Sequence, residues 1–178
     1  MGSSAGGHLV AMLGTSGDVE KLEGTLGEHC DVSSRVNCVI DEFGPTNFLT
    51  MNDFPGTMDH LAADSPESKL LGQQVTKVPE LVREASPVTW VTQDDPPILI
   101  IHGTKDPMVP YQQSVVFAEA LKQAGVTVIL QKIENGEHGG FGSDEINVRT
   151  RMFLEKHLLG RDVRISTEPI TVPPRQKN

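Results

Sequence analysis

A serine flanked by glycines lies at the start of the chain and offers a nucleophile. Ser4 lies in the run GSSAG at 2–6, which continues into small and apolar residues typical of a helix start. Glycines on both sides suit a tight strand-to-helix turn, where side chains at those positions would clash and the serine hydroxyl is lifted out. In such a turn the backbone N–H of Ala5 lies at the helix N-terminus and can stabilise an oxyanion. The run therefore predicts a nucleophilic Ser4 with Ala5 as an oxyanion donor.

Two later segments carry the groups that would activate such a serine. Asp106 follows the apolar run Ile98–Ile101, and His138 follows the apolar and alternating segment Thr127–Ile133. A histidine that takes the serine proton, and a carboxylate that orients the imidazole, complete the requirements for nucleophilic catalysis. Taken alone, the glycine-serine run is equally typical of a flexible start, and Asp106 could instead cap the following turn. Together the three segments predict a triad of Ser4, Asp106 and His138.

The other histidines have different expected roles. His102 ends the buried run before Asp106 and is expected to be structural, and His8 is expected to pack within the first helix. His29, His60 and His157 lack the partner spacing of a zinc site. The sequence therefore predicts no metal.

The elements that must position these groups alternate between helix and strand. This order predicts an α/β fold with a short, mainly parallel sheet flanked by helices. The segment 45–92 is expected to form a lid-like insertion, and 161–178 an extended tail. We expect strands at Val36–Phe43, Ile98–Ile101 and Thr127–Ile133, and helices at Ala5–Leu13, between Ser65 and Gly72, at Pro79–Arg83, at Ser114–Ala124 and after Ser143.

Composition narrows the possible partners. The 178 residues carry a net charge of −9, which repels phosphate backbones and anionic lipid, and no basic stripe offsets it. The longest apolar run, Ile98–Ile101, is far too short for a membrane helix. No basic region precedes the first apolar stretch, so a signal peptide is not indicated. We expect a single cytoplasmic domain without nucleic-acid or membrane partners, and leave open secretion of a longer parent.

Taken together, the motifs resemble the α/β-hydrolase superfamily, in particular bacterial esterases and lipases of the feruloyl-esterase-like group. The resemblance covers most of 1–159 and rests on five segments in order: the nucleophile elbow at 2–11, FGPT at 43–46, ASP at 85–87, HGTKD at 102–106 and EHG at 137–139. It implies a serine hydrolase that cleaves carboxylic esters with small acyl groups, or acetyl or feruloyl groups on plant polysaccharide, through an acyl-enzyme. It also implies that no cofactor is needed.

The sequence departs from that group ahead of the serine. Met1 directly precedes the elbow, so the strands expected before it, and the His-Gly-Gly loop that supplies a second oxyanion donor, are expected to be missing. Asn47 stands where many relatives have an acidic residue. About three strands would remain, and the strand near Val36 would offer an unpaired edge to a second copy, which predicts a homo-oligomer. Two alternatives stay open: a catalytically impaired hydrolase fragment acting as an assembly or binding module, and a prolyl-oligopeptidase-like serine peptidase.

Overall fold

Five parallel strands form one sheet whose spatial order follows the chain. The computed structural model describes residues 1–174. The strands are β1 (Gly2–Ser3), β2 (Val39–Glu42), β3 (Ile98–Gly103), β4 (Val128–Glu134) and β5 (Ile170–Thr171). The helices are α1 (Ala5–Thr15), α2 (Glu20–Glu23), α3 (Pro66–Leu71), α4 (Pro79–Glu84), α5 (Gln112–Gln123) and α6 (Asp144–Leu159). The predicted α/β class with a parallel sheet flanked by helices is confirmed.

The core lies on both faces of the sheet because β3 is apolar throughout. Ile98 and Ile100 face a cluster that includes Ala11 of α1 and Phe117 of α5. Leu99 and Ile101, one residue out of phase, belong to a second cluster with Ile133, Ile146 and Phe153, the last two from α6. The period of two along a strand thus supplies apolar side chains to both layers of helices. This packing fixes the carboxyl end of β3, from which the loop bearing Asp106 departs.

Local sequence signals set the bounds of several helices. Ser65 caps α3 by accepting a hydrogen bond from the backbone N–H of Ser68, Pro66 is the first helical residue, and Gly72 ends the helix with φ 69°. Pro79 opens α4 as predicted. Ser143 precedes α6, but its side chain makes no capping hydrogen bond.

The two shortest strands were not predicted. β1 pairs with Asp41 and Glu42, so the strand expected to form an open edge has a neighbour along half of its length. β5 comes from the predicted tail and extends the sheet beyond β4. The buried Arg149 side chain holds this segment by donating to the backbone carbonyls of Ser166 and Glu168.

The segment 45–92 contains only short helical elements among its regular secondary structure. Its 3-10 turns are Phe48–Asp53, Val75–Lys77 and Pro87–Trp90, and they alternate with α3 and α4. Phe48, Val75 and Val82 form a small buried cluster of their own. No helix within residues 1–174 has the length and apolar character needed to cross a bilayer.

Candidate active site

Ser4 occupies a strained turn between β1 and α1. Its backbone has φ 54° and ψ −121°, a region that costs a residue with a side chain about 1–3 kcal/mol. The Ser4 N–H donates to the carbonyl of Glu42 at 2.9 Å, which ties the turn to β2. A Cβ on Gly2 would lie 2.2 Å from the backbone oxygen of Gly6, so the chain can close this turn only with glycine there.

The second glycine of the elbow plays a different part from the one predicted. A Cβ on Gly6 would meet nothing within 4 Å, so the expected clash does not occur there. It occurs at Gly7, where a Cβ would lie 2.4 Å from Asp41 Oδ1 and 2.9 Å from the carbonyl oxygen of Glu42. The close approach of α1 to β2 therefore depends on Gly7.

The structure brings together the three residues singled out from the sequence. The Oγ of Ser4 lies 2.9 Å from His138 Nε2, and His138 Nδ1 lies 2.7 Å from Asp106 Oδ2. Because an ionised carboxylate can only accept, Nδ1 carries the imidazole proton, and Nε2 is then free to accept from the serine hydroxyl. This is the proton arrangement that a serine nucleophile requires.

Asp106 makes the contacts expected for both of the roles considered for it. Its Oδ1 accepts hydrogen bonds from the backbone N–H groups of Met108 at 2.8 Å and Val109 at 2.9 Å, which caps the turn. Its Oδ2 faces His138. Burial alone would raise the pKa of Asp106, yet hydrogen bonds from His102, from His138 and from the two backbone N–H groups hold it below the usual value. The group is therefore a fixed carboxylate, with a side chain that is 0% exposed.

His102 is buried and structural, as expected, but it also touches the candidate triad. Its Nδ1 lies 2.6 Å from Ser114 Oγ, and its Nε2 lies 3.0 Å from the carbonyl oxygen of Val109. The same Nε2 is 3.2 Å from Asp106 Oδ2. A carbonyl can only accept, so Nε2 carries the proton and supports the carboxylate as well.

Phe43 is a site residue whose role the sequence did not reveal. Its ring packs edge-on against the His138 imidazole, with ring centroids 4.8 Å apart. It also packs edge-on against the Phe141 ring, with centroids 5.7 Å apart. A Cβ on Gly139 would lie 2.9 Å from the Phe43 ring, so the loop after β4 packs directly on it. Phe43 has φ 46° and follows β2, a conformation that the motif FGPT did not indicate.

A small apolar cavity adjoins the elbow. It measures about 180 Å³ and is lined by Ala5, His8 and Leu9 from α1, with Pro45, Phe48, Pro66, Glu67 and Leu70 from the segment 45–92. Ala5 is the first helical residue, so its N–H has no acceptor within the helix. Trp90 and residues 51–58 are not among the residues that line this cavity.

Two further buried histidines, His8 and His60, make contacts with residues of the segment 45–92. His8 lies at 2.7 Å from the carbonyl oxygen of Ala85 and stacks on Phe48, which agrees with its expected packing role. His60 pairs with Glu67, a contact that residue spacing gave no reason to expect. Within residues 1–174, no three His, Cys, Asp or Glu side chains cluster as a metal site would require.

The amino-acid sequence matches a known protein family. The family model described as BD-FAE matches residues 1–121, which include Ser4 and Asp106. The chain belongs to the BD-FAE family. His138 lies beyond the matched residues.

Two relatives of this BD-FAE chain are named as esterases. Esterase LipC of Mycobacterium tuberculosis is 32% identical over 121 residues, which are 68% of this chain and 29% of LipC. Esterase LipQ of the same organism is 30% identical over 155 residues, 86% of this chain and 35% of LipQ. This chain therefore spans about a third of the length of these curated relatives.

A solved structure supports the same fold. A truncated form of a carbohydrate esterase from gut microbiota superimposes with a TM-score of 0.78 at 33% identity. The match covers 88% of this BD-FAE chain and 58% of the carbohydrate esterase. The resemblance to α/β-hydrolase esterases inferred from the motifs is thus confirmed.

Proposed function

We propose that this chain is a serine hydrolase that cleaves carboxylic esters with small acyl groups. The observation that carries the proposal is the unbroken contact from Ser4 Oγ through His138 to Asp106, at 2.9 Å and 2.7 Å. These three residues are far apart in sequence, and their contacts match the separate requirements of nucleophile, base and orienting carboxylate. The naming of relatives as esterases supports carboxylic esters as the substrate class.

The reaction would run through an acyl-enzyme. Ser4 Oγ attacks the ester carbonyl carbon while His138 Nε2 takes its proton, and the Ala5 N–H donates to the developing oxyanion. His138 then gives this proton to the leaving alcohol as the carbon–oxygen bond breaks. A water molecule attacks the acyl-serine by the same route, releases the carboxylic acid and restores Ser4. Asp106 remains ionised throughout and stabilises the imidazolium.

The cavity beside Ala5 supports a small acyl group. Its volume of about 180 Å³ and its apolar walls, including Leu9 and Phe48, suit a short aliphatic chain. The 33% identity to a carbohydrate esterase supports acyl groups carried on a sugar as a candidate natural substrate.

Hydrolysis of p-nitrophenyl acetate tests the proposal directly. Replacing Ser4 by alanine removes the nucleophile and is expected to lower kcat by about 10⁶-fold. Ser3→Ala is the matched control, because Ser3 is the adjacent serine on β1. A fluorophosphonate should label the wild type and Ser3→Ala but not Ser4→Ala. A wild type that neither hydrolyses the ester nor reacts with the probe would refute the proposal and favour a binding or assembly module.

Three further expectations stay predictions. The first is a homo-oligomer formed through the exposed edge of the sheet, next to the pairing of β1 with Asp41 and Glu42. The cytoplasmic location is the second. The third is the division into a hydrolase domain at 1–160, with a lid-like insertion at 45–92, and a tail at 161–178.

A further inference from the structure

A second buried histidine–carboxylate pair lies outside the candidate triad. His60 and Glu67 are 3% and 5% exposed, and His60 Nδ1 lies 3.0 Å from Glu67 Oε1. Among the described residues, Glu67 Oε2 has no hydrogen-bond partner, so the carboxylate relies on His60 alone. Burying such a pair costs desolvation that the attraction between the partners does not always offset. A fold needs no such pair merely to fill space, because apolar residues would do so at lower cost.

The second ring nitrogen of His60 contacts the loop that carries Asp106. His60 Nε2 lies 2.9 Å from the carbonyl oxygen of Met108, which can only accept, so Nε2 carries a proton. That carbonyl belongs to the same peptide group as the Val109 N–H, which donates to Asp106 Oδ1 at 2.9 Å. A peptide group whose carbonyl accepts a hydrogen bond becomes a stronger donor at its N–H.

The charges around His60 favour a proton on both ring nitrogens. Burial would lower the pKa of His60, but the hydrogen bond and negative charge of Glu67, and the hydrogen bond to Met108, together raise it. Asp59, in the turn that precedes His60, adds to this effect. The imidazole thus donates to a carboxylate at one nitrogen and to a carbonyl at the other.

We propose that His60 and Glu67 are positioning residues for Asp106. Glu67, on α3 of the insertion, orients His60, and His60 holds the peptide group between Met108 and Val109 whose N–H fixes the carboxylate facing His138. The insertion would therefore do more than cover the site, because folding it completes the geometry of Asp106. This inference rests on the proposed function for its effect on turnover, but not for its effect on the contact between Asp106 and His138.

Paired substitutions test the role without leaving a buried charge behind. The double variant His60→Leu/Glu67→Leu removes both partners, a replacement that buried ion pairs often tolerate in stability. We expect kcat for p-nitrophenyl acetate to fall about tenfold with KM unchanged, which corresponds to about 1.4 kcal/mol. The conservative variant His60→Gln/Glu67→Gln keeps a donor for Met108 and should recover most of the loss.

Ser68→Ala is the matched structural control. Ser68 lies on the same helix as Glu67. Its Oγ donates to the carbonyl of Ala62 and accepts from the N–H of Val75, so its loss weakens the segment 45–92 and leaves the contacts from Glu67 through His60 to Met108 in place. Ser68→Ala is expected to lower the melting temperature and leave kcat unchanged. A double-leucine variant that folds and keeps the wild-type kcat would overturn the proposal, as would an equal fall in kcat for Ser68→Ala.

A proton NMR measurement separates this inference from the proposed function. The low-field signal of the His138 Nδ1–H bonded to Asp106 should shift or broaden in the double-leucine variant and stay in place in Ser68→Ala. If the wild type proves inactive towards ester and fluorophosphonate, the proposed function fails while this signal still decides the positioning role. A signal that is unchanged in the double-leucine variant overturns the positioning role whether or not the wild type is active.

Discussion

Replacing Asp106 by asparagine should move the imidazole proton of His138 from Nδ1 to Nε2. The Oδ1 position accepts two backbone N–H groups, from Met108 and Val109, so the asparagine carbonyl must occupy it. The amide NH₂ then takes the place of Oδ2 and faces His138 Nδ1. Because an NH₂ group only donates, Nδ1 must accept, and the imidazole proton moves to Nε2. His138 can then no longer take the proton of Ser4.

The expected loss follows from this exchange. In trypsin-like proteases the corresponding wrong tautomer lowers kcat by about 10⁴. We expect a similar factor here, equivalent to about 5.4 kcal/mol in the activation free energy. The new NH₂ also faces the proton of His102 Nε2, whose nitrogen lies 3.2 Å from Oδ2 in the native protein. Two opposed donors in a buried site should lower the free energy of unfolding by about 1–3 kcal/mol.

The assay compares kcat for p-nitrophenyl acetate, and the rate of fluorophosphonate labelling, in wild type and Asp106→Asn. Asp94→Asn is the control, since Asp94 is an exposed carboxylate that precedes β3 at the opposite end of the strand. Urea unfolding of each variant shows whether a loss of kcat comes from unfolding or from the shift of the imidazole proton. An Asp106→Asn variant that is folded and retains more than a tenth of the wild-type kcat would show that the imidazole proton does not move as proposed.

Two further predictions concern stability. Burial raises the pKa of Asp41 to about 6 from the ordinary 3.8. Ionisation of Asp41 therefore destabilises the native state, and this destabilisation grows from about pH 3.8 and is complete above about pH 6. The free energy of unfolding of Asp41→Asn relative to wild type should therefore rise by about 2 kcal/mol between pH 4 and pH 7 in urea unfolding. A difference that stays constant over this range would contradict the assigned cause. At the elbow, Gly7→Ala should lower stability by about 1–3 kcal/mol because its Cβ meets Asp41 and backbone. Gly6→Ala meets open space and should be neutral or slightly stabilising in thermal unfolding, so equal losses would count against the packing argument.

Local signals in the sequence were sufficient wherever neighbouring residues decide the structure. The cap at Ser65, Pro66 and the closing Gly72 defined α3, and the continuous apolar run of β3 predicted a strand buried on both faces. The order of Ser4, Asp106 and His138 was equally readable, because each follows a recognisable strand or opens a helix. For these features the predictive signal lies within a short stretch of sequence, although β3 still pairs with β2 and β4 in the sheet.

Contacts between segments far apart in sequence determine the features that the sequence did not predict. β1 and β5 are two residues long and exist only because Asp41 and Ile133 offer backbone partners across the sheet. Neither the packing of Phe43 on His138 nor the pair of His60 with Glu67 has a periodicity or spacing to reveal it. Short stretches of sequence therefore predicted the main helices and strands. Which buried polar groups meet depends on the tertiary fold, because each buried polar group needs a partner from a distant part of the chain.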